Sequence, residues 1–140
     1  MPSIHFHAEE VDFNLENPDY TRHWINLIIT QEGSSLEELN FIFCSDDFLH
    51  RMNFEYLDHD TLTDIITFDQ SEQSKSIEGD IFISIDRVTD NAKDLNSTFQ
   101  DELDRVIAHG VLHLLGFTDK TDAEQSLMRK KEEACLSLRP

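Results

Sequence analysis

Residues 98–116 carry the longest helical pattern in the sequence, and this segment constrains the fold most. Thr98 is typical of an N-cap residue, and Gly116 is typical of the residue that follows the last turn of a helix. Between them, apolar residues recur with helical spacing at Leu103, Val106, Ile107, Val111 and Leu114. Because a helix with one apolar face has to pack against another layer, the rest of the chain is expected to supply a sheet or further helices.

Shorter patterns on both sides of this helix alternate between strand and helix. Strands are expected at residues 3–6, 39–43, 64–68 and 79–85. Further helices are expected at residues 18–33, 46–56 and 122–136. Ile81, Ile83 and Ile85 share one face of the last strand, and the polar residues 70–78 are expected to form a loop. This order predicts one domain, residues 1–140, of the α/β (α+β) class, in which a small mixed β-sheet packs against helices.

Composition favours a cytoplasmic globular protein. The 140 residues are 39% hydrophobic and include ten phenylalanines, which is enough material for one core. No segment has the apolar run of a secretory signal or of a membrane span, so no membrane partner is expected. Cys44 and Cys135 are far apart and lack CxxC spacing, which favours free thiols in a reducing compartment.

The charge of the chain opposes unspecific attraction to a polyanion. The formal net charge is -18, from 29 acidic and 11 basic residues. A local positive groove is still possible, and the side chains available for one are Arg51, Lys120, Arg129, Lys130 and Lys131. The run at residues 129–131 is also typical of a solvated helix face.

Two histidines lie four residues apart at the end of the long helix, in the order His109-Gly-Val-Leu-His113. Side chains at this spacing project from one face, so both imidazoles can reach one metal ion. Gly116 can end the helix and turn the chain back, which would bring Asp119 to the same ion. Three protein ligands leave one position for water, whose pKa Zn2+ lowers to about 7. The pattern predicts a hydrolase with one Zn2+ ion, although another divalent metal is possible.

The histidine pair alone has simpler explanations. Seven histidines in 140 residues produce such a pair by chance in about one chain in three, and core or helix-surface histidines share this spacing. The glycine and the carboxylate that follow favour a metal site. The HExxH metallopeptidases carry their general base directly after the first histidine, where this chain has Gly110. A small metallopeptidase is therefore a weaker alternative.

Several blocks of the sequence resemble the YbeY family of bacterial metal-dependent endoribonucleases, which act in ribosomal RNA maturation and ribosome quality control. The blocks stand in family order, as Met52-Asn53, Thr63-Asp64-Ile-Ile-Thr67-Phe68, Gly79-Asp80-Ile-Phe-Ile-Ser84 and His109-Gly-x-Leu-His113-Leu-x-Gly116-Phe117. The resemblance implies a compact α/β fold with a metal site at a helix end, facing a cleft. It also implies ribosomal RNA and the small ribosomal subunit as partners.

The resemblance suggests that Thr63 and Asp64 lie at the substrate cleft. A Thr-Asp pair before a strand is also common turn chemistry that satisfies backbone donors, so both interpretations stay open. A non-catalytic ribosome-associated factor with a structural metal site is a further alternative to the nuclease. The acidity of the chain motivates it, together with Leu57, which departs from the family pattern as described next.

The chain departs from the family pattern at two positions. Asp119 stands where the family usually has histidine, so the third ligand would be a carboxylate, which Zn2+ also accepts. Leu57 stands where the family usually has an arginine thought to act at the phosphate. The replacements suggested by nearness to the motifs are Arg51, His59 and Lys120. For His59, a solvated loop histidine is the simpler interpretation.

Overall fold

The computed structural model describes residues 2–57, 63–72 and 75–140. Along these residues the elements are β1 (Ser3–Glu9), α1 (Pro18–Gln31), β2 (Ser35–Cys44), α2 (Asp46–Leu57), β3 (Ile65–Asp69), β4 (Ser76–Ser84), α3 (Ile85–Asp94), α4 (Phe99–Leu114) and α5 (Asp122–Ser137). None of the helices in these ranges is long and apolar enough to cross a membrane.

The strands form one mixed sheet in the order β1-β2-β4-β3. β1 pairs with β2 and β2 with β4 in parallel, whereas β3 pairs with β4 in the antiparallel direction. Parallel neighbours need long crossovers, and α1 supplies the connection from β1 to β2. The predicted α+β class with a small mixed sheet is confirmed.

Helices cover both faces of this sheet. Ile81 and Ile83 of β4 belong to the main core together with Ile107 of α4, and all three are fully buried. Phe82, between the two isoleucines, points to the other face because side chains alternate along a strand. There it packs in a smaller cluster with Leu49 of α2. α2 and α4 therefore lie on opposite faces of the sheet.

The single tryptophan joins the first helix to the last. Trp24 of α1 is 1% exposed, and its Nε1 donates a hydrogen bond of 2.7 Å to the carbonyl oxygen of Cys135 in α5. A buried indole N–H without a partner would be costly, so this bond favours one placement of α5 against α1.

The predicted start of the fourth strand is wrong. β4 begins at Ser76, inside the polar segment 70–78 that was expected to be a loop. Ser76 and Ile77 pair with Ser35 and Leu36 of β2. Main-chain pairing with an existing strand does not require apolar side chains, so polarity was a poor guide here.

The predicted end of that strand is wrong as well, because Ile85 begins α3. Ser84 caps this helix, and its side chain accepts a hydrogen bond of 3.1 Å from the Arg87 backbone N–H. Ile85, Val88 and Ala92 form its buried face. The sequence did not predict α3 because the helix is short and seven of its ten residues are polar.

Candidate metal centre

The end of α4 is shaped so that the chain returns toward the two histidines. Gly116 has a φ of +106°, which a residue with a side chain rarely adopts. The backbone N–H of Gly116 donates to the His113 carbonyl and that of Phe117 to the Leu112 carbonyl, both at 3.0 Å. This pair of bonds is a Schellman motif, which ends the helix and turns the chain. It brings Asp119 to the face of α4 that carries both histidines.

A second set of hydrogen bonds holds the segment around Asp119. The Glu124 side chain, in the first turn of α5, accepts bonds from the backbone N–H groups of Lys120 at 3.1 Å and Thr121 at 2.9 Å. It also accepts a bond from the Thr118 hydroxyl. Thr121 completes a capping box by accepting from the Glu124 N–H at 3.1 Å. Asp119 is thus fixed from both sides.

Three side-chain atoms converge at this point. The Nε2 atoms of His109 and His113 are 2.9 Å apart, and Asp119 Oδ2 is 3.4 Å from the first and 3.5 Å from the second. Ligand atoms about 2.0–2.1 Å from a tetrahedral Zn2+ ion are separated by about 3.4 Å. The shorter distance between the imidazoles is that of a hydrogen bond between them. The three residues form a cluster that could hold a metal ion.

The cluster is open to solvent on one side. The side chains of His109, His113 and Asp119 are 22%, 25% and 40% exposed. Structural zinc sites are usually closed by four protein ligands, whereas catalytic sites keep a position free. Partial exposure of a three-residue cluster is therefore typical of a catalytic site.

Glu132 of α5 supports the cluster from behind, and the sequence did not predict this contact. Its Oε2 lies 2.6 Å from His109 Nδ1, which leaves Nε2 of that ring directed at the other two residues. A carboxylate on the second ring nitrogen orients a metal-binding histidine and raises its basicity. The available signal was a carboxylate on the buried face of α5, between Met128 and Cys135.

The charged surroundings change the pKa of His109. Burial lowers this pKa, but the hydrogen bond to Glu132 and the negative charges of Glu132, Asp119 and Asp64 outweigh burial, so the pKa is raised. Arg105 partly balances the carboxylates, since its Nη1 lies 3.5 Å from Glu132 Oε1. A cation at the cluster would meet the same negative field.

The structure places Asp64 near the cluster and gives Thr63 a local contact. Burial raises the pKa of Asp64, and His109 is close enough to oppose that shift. Asp64 Oδ2 accepts a hydrogen bond of 3.4 Å from Asn91. The Thr63 hydroxyl donates to the Ile65 carbonyl at 3.3 Å, which is turn chemistry. A role of either residue at the substrate cleft stays a prediction.

The three suggested replacements for the family arginine are not brought together. Arg51 lies on α2, across the sheet from α4, where its Nη2 pairs with Glu10 at 2.5 Å. Lys120 directly follows Asp119, and its backbone N–H donates to Glu124. His59 lies outside the described residues.

Gly110 faces the sheet. A Cβ atom on this residue would be 2.8 Å from Ile65 Cδ1 and 3.0 Å from Ile81 Cγ2. A glutamate at this position would have to enter the packing between α4 and the sheet, so the site has no place for the HExxH general base. This removes the support for a metallopeptidase of that type.

Comparisons with known proteins agree with the blocks recognised in the sequence. The family model described as endoribonuclease YbeY matches residues 3–138. A Cytophaga hutchinsonii protein named endoribonuclease YbeY is 56% identical over 137 residues, covering 98% of this chain and 96% of that protein. An Amoebophilus asiaticus protein of the same name is 54% identical over 130 residues, covering 93% and 88%.

A solved structure shows the same fold. The solution structure of a Thermotoga maritima protein superimposes with a TM-score of 0.67 and 26% identity, covering 97% of this chain and 88% of that one. The match of the family model over nearly the whole chain, together with relatives above 50% identity, is decisive. The chain belongs to the endoribonuclease YbeY family, which confirms the family and the nuclease class expected from the sequence.

Proposed function

We propose that this chain is a metal-dependent endoribonuclease that hydrolyses phosphodiester bonds of ribosomal RNA. Its metal ion would be held by His109, His113 and Asp119. The observation that carries the proposal is the convergence of their three ligand atoms, at 2.9, 3.4 and 3.5 Å, on one partly exposed point. Membership of the family supports RNA hydrolysis as the reaction, and the geometry supports these three residues as the metal site.

Each residue around the point has a separate task in this proposal. A divalent metal ion held by His109, His113 and Asp119 would supply Lewis-acid chemistry toward a phosphoryl oxygen and a water molecule. Glu132, at His109 Nδ1, would hold this ring in the tautomer that leaves the Nε2 lone pair available to a metal ion. Glu124 holds the chain on both sides of Asp119. Arg105 offsets the charge of Glu132.

Zn2+ is the ion that we propose. Two imidazoles and one carboxylate form a ligand set that zinc hydrolases use. Asp119 supplies an oxygen atom, and oxygen ligands also suit harder cations such as Mn2+. Metal analysis after purification without added metal therefore decides the identity of the ion.

Ribosomal RNA of the small subunit, in the cytoplasm, is the substrate that we propose. The chain as a whole repels RNA, but its charge is unevenly distributed. Residues 1–100 contain 21 acidic and five basic side chains, whereas residues 101–140 contain eight acidic and six basic side chains. Residues 101–140, which include the metal cluster, have the smaller excess of negative charge, so they oppose a phosphate backbone less than the rest of the chain does.

The test compares metal content and cleavage in matched variants. Wild type is expected to hold about one ion per chain, and His109→Ala, His113→Ala and Asp119→Ala are each expected to lose it together with cleavage of ribosomal RNA. His23→Ala, an exposed histidine of α1, serves as the control and keeps both. A wild-type protein that binds no metal on titration would overturn the proposal.

The alternative function, a non-catalytic ribosome-associated factor, makes a different prediction. Its metal would be structural, so His113→Ala would lower thermal stability and ribosome association together, with no cleavage to lose. The partial exposure of the cluster favours the nuclease. Metal-dependent cleavage that disappears in His113→Ala would exclude this alternative.

A further inference from the structure

A small cleft adjoins the metal cluster, and one wall of it carries an arginine. The cleft has a volume of about 190 Å³. Its lining residues are His109, Asp119, Gln125, Met128, Arg129 and Glu132. Arg129 lies on α5, directly after the buried Met128 and three residues before Glu132. The residue that supports His109 and the guanidinium at the cleft therefore belong to consecutive turns of one helix.

Along the described ranges the guanidinium of Arg129 is free, unlike the charged groups of Arg105 and Lys131 nearby. Arg105 pairs with Glu132 and Glu133 at 3.5 and 3.0 Å. Lys131 pairs with Glu32 at 3.0 Å. Across the described ranges, Arg129 makes neither a hydrogen bond nor an ion pair, and it is exposed. Five N–H donors are thus available at the cleft without first breaking a bond to the protein.

We propose that Arg129 binds the phosphate that is to be cleaved. This inference rests on the proposed nuclease function. A planar guanidinium can donate two parallel hydrogen bonds to the non-bridging oxygens of a phosphodiester, which fixes its orientation and offsets charge that builds up during the reaction. The structure holds Arg51 on the opposite face of the sheet, in a pair with Glu10. Leu57 offers no charge at all.

We expect a single phosphate contact at the cleft, not a row of basic residues along the groove that continues from it. The groove that continues from the cleft between α4 and α5 also contains Arg105 and Arg139. Arg139 is held by Asp101 and Asp104 at 3.0 and 2.9 Å, and Arg105 is held by glutamates. These pairs offset the charges of Arg105 and Arg139, so of the three arginines along the groove Arg129 is the one left to meet a phosphate.

The experiment uses full-length protein and a short single-stranded fragment of ribosomal RNA. Arg129→Gln removes the charge, and Arg129→Lys keeps the charge but loses the paired donors. Lys130→Gln removes the same charge one residue further along α5, outside the lining of the cleft. For each protein, kcat, KM, metal content and the salt dependence of RNA binding are measured. Binding is measured in the His113→Ala background so that the RNA stays intact.

The expected pattern separates a phosphate contact from a structural role. Arg129→Gln should lower kcat/KM by about 10²-fold, the effect of removing one donor to a developing charge. Arg129→Lys should recover part of this loss, and Lys130→Gln should stay within about twofold of wild type. Metal content should not change. The slope of log affinity against log salt should fall by about 0.7 in Arg129→Gln only, as expected for one phosphate contact on a single strand.

Two results would overturn the inference. Arg129→Gln could match Lys130→Gln in both kcat/KM and salt slope, or it could lose metal as Asp119→Ala does, which would mean that it acts on Asp119 instead of on RNA. If wild type holds metal but cleaves nothing, the proposed nuclease function fails. The RNA-binding measurements still test Arg129 in that case. Equal salt slopes for Arg129→Gln and Lys130→Gln would exclude a phosphate contact at Arg129.

Discussion

Asp119 adds a carboxylate to a cluster whose other two members are imidazoles. Its Oδ2 lies at almost equal distances from the two imidazoles, 3.4 and 3.5 Å. An imidazole at this position would add no charge, whereas the carboxylate adds one negative charge to a cluster that already faces Glu132 and Asp64. Arg129 lines the same cleft as Asp119, so its positive charge lies beside this added negative charge.

Glu132 provides the sharpest prediction for a single residue. Glu132→Gln keeps the shape of the side chain but removes the charge next to His109 Nδ1, so the ring becomes a weaker ligand. Metal affinity is expected to fall by about 10–100-fold, as measured by competition with a chelator. Glu133→Gln, the exposed neighbour that also pairs with Arg105, is the control and should bind metal like wild type. Equal affinities for wild type and Glu132→Gln would contradict the role of Glu132.

At this scale the sequence revealed residues that are close in the chain and missed one that is distant. His109, His113 and Asp119 lie within eleven residues, so the spacing along one helix and the glycine turn were enough to predict that they meet. Glu132 follows His109 by 23 residues on another helix. Its contact depends on how α5 packs on α4, which no local pattern specifies.

The α4–α5 connection depends on the first turn of α5. Hydrogen bonds from Thr118 and Thr121, led by that of the Thr118 hydroxyl, lower the pKa of Glu124. Its contribution to stability is therefore complete above the ordinary pKa of glutamate and is lost as the pH falls through the lowered pKa. The difference in thermal stability between wild type and Glu124→Ala, measured without metal, should be constant near neutrality and shrink in acid.

The same variant should also bind metal more weakly than wild type, because the segment that carries Asp119 loses its acceptor. Asp122→Ala changes a neighbouring carboxylate in the same turn and is the matched control. A stability difference between wild type and Glu124→Ala that increases toward acid pH would contradict the lowered pKa of Glu124.

The β3–β4 ladder leaves no room for a side chain at Gly79. A Cβ atom there would lie 2.4 Å from the backbone oxygen of Phe68, which cannot move without disturbing the strand. Gly79→Ala is expected to lower the free energy of unfolding by about 1–3 kcal/mol or more, measured by urea denaturation. Glu78→Ala, on the preceding residue of β4, should change it by less than about 0.5 kcal/mol. Similar midpoints for the two variants would contradict the close approach.

Secondary-structure elements were predicted correctly where apolar residues repeat periodically. They were missed where few apolar residues mark a helix or where backbone pairing makes a polar segment a strand. α4 was predicted from its periodic apolar face and both of its ends. α3 was missed because only Ile85, Val88 and Ala92 mark its buried face. The start of β4 was missed because pairing with β2 makes Ser76 part of a strand whatever its polarity.

Across the whole molecule, the two cysteines report on global unfolding. Burial, assisted by nearby carboxylates, raises the pKa of Cys44 to about 12 and that of Cys135 to about 11. Both are buried free thiols, Cys44 at the end of β2 and Cys135 in α5. Neither should react with iodoacetamide at pH 8 in the native protein, because the thiolate is the reactive form.

Mass spectrometry should detect two modifications after denaturation and none before it. Rapid labelling of Cys135 alone in the native protein would mean that α5 detaches on its own. Labelling of both thiols at the rate seen in denaturant would contradict the packing of both faces of the sheet.

The hydrogen bond between Trp24 and Cys135 makes tryptophan fluorescence a probe of how α5 packs. The single indole of the chain sits in an apolar setting with its N–H on the carbonyl of α5, so its emission registers whether that helix is docked. α5 also carries Glu132 and Arg129, which face the metal cluster and its cleft. A spectroscopist can therefore follow the docking of α5, and with it the assembly of the candidate metal centre, through the fluorescence of the native tryptophan without attaching a dye.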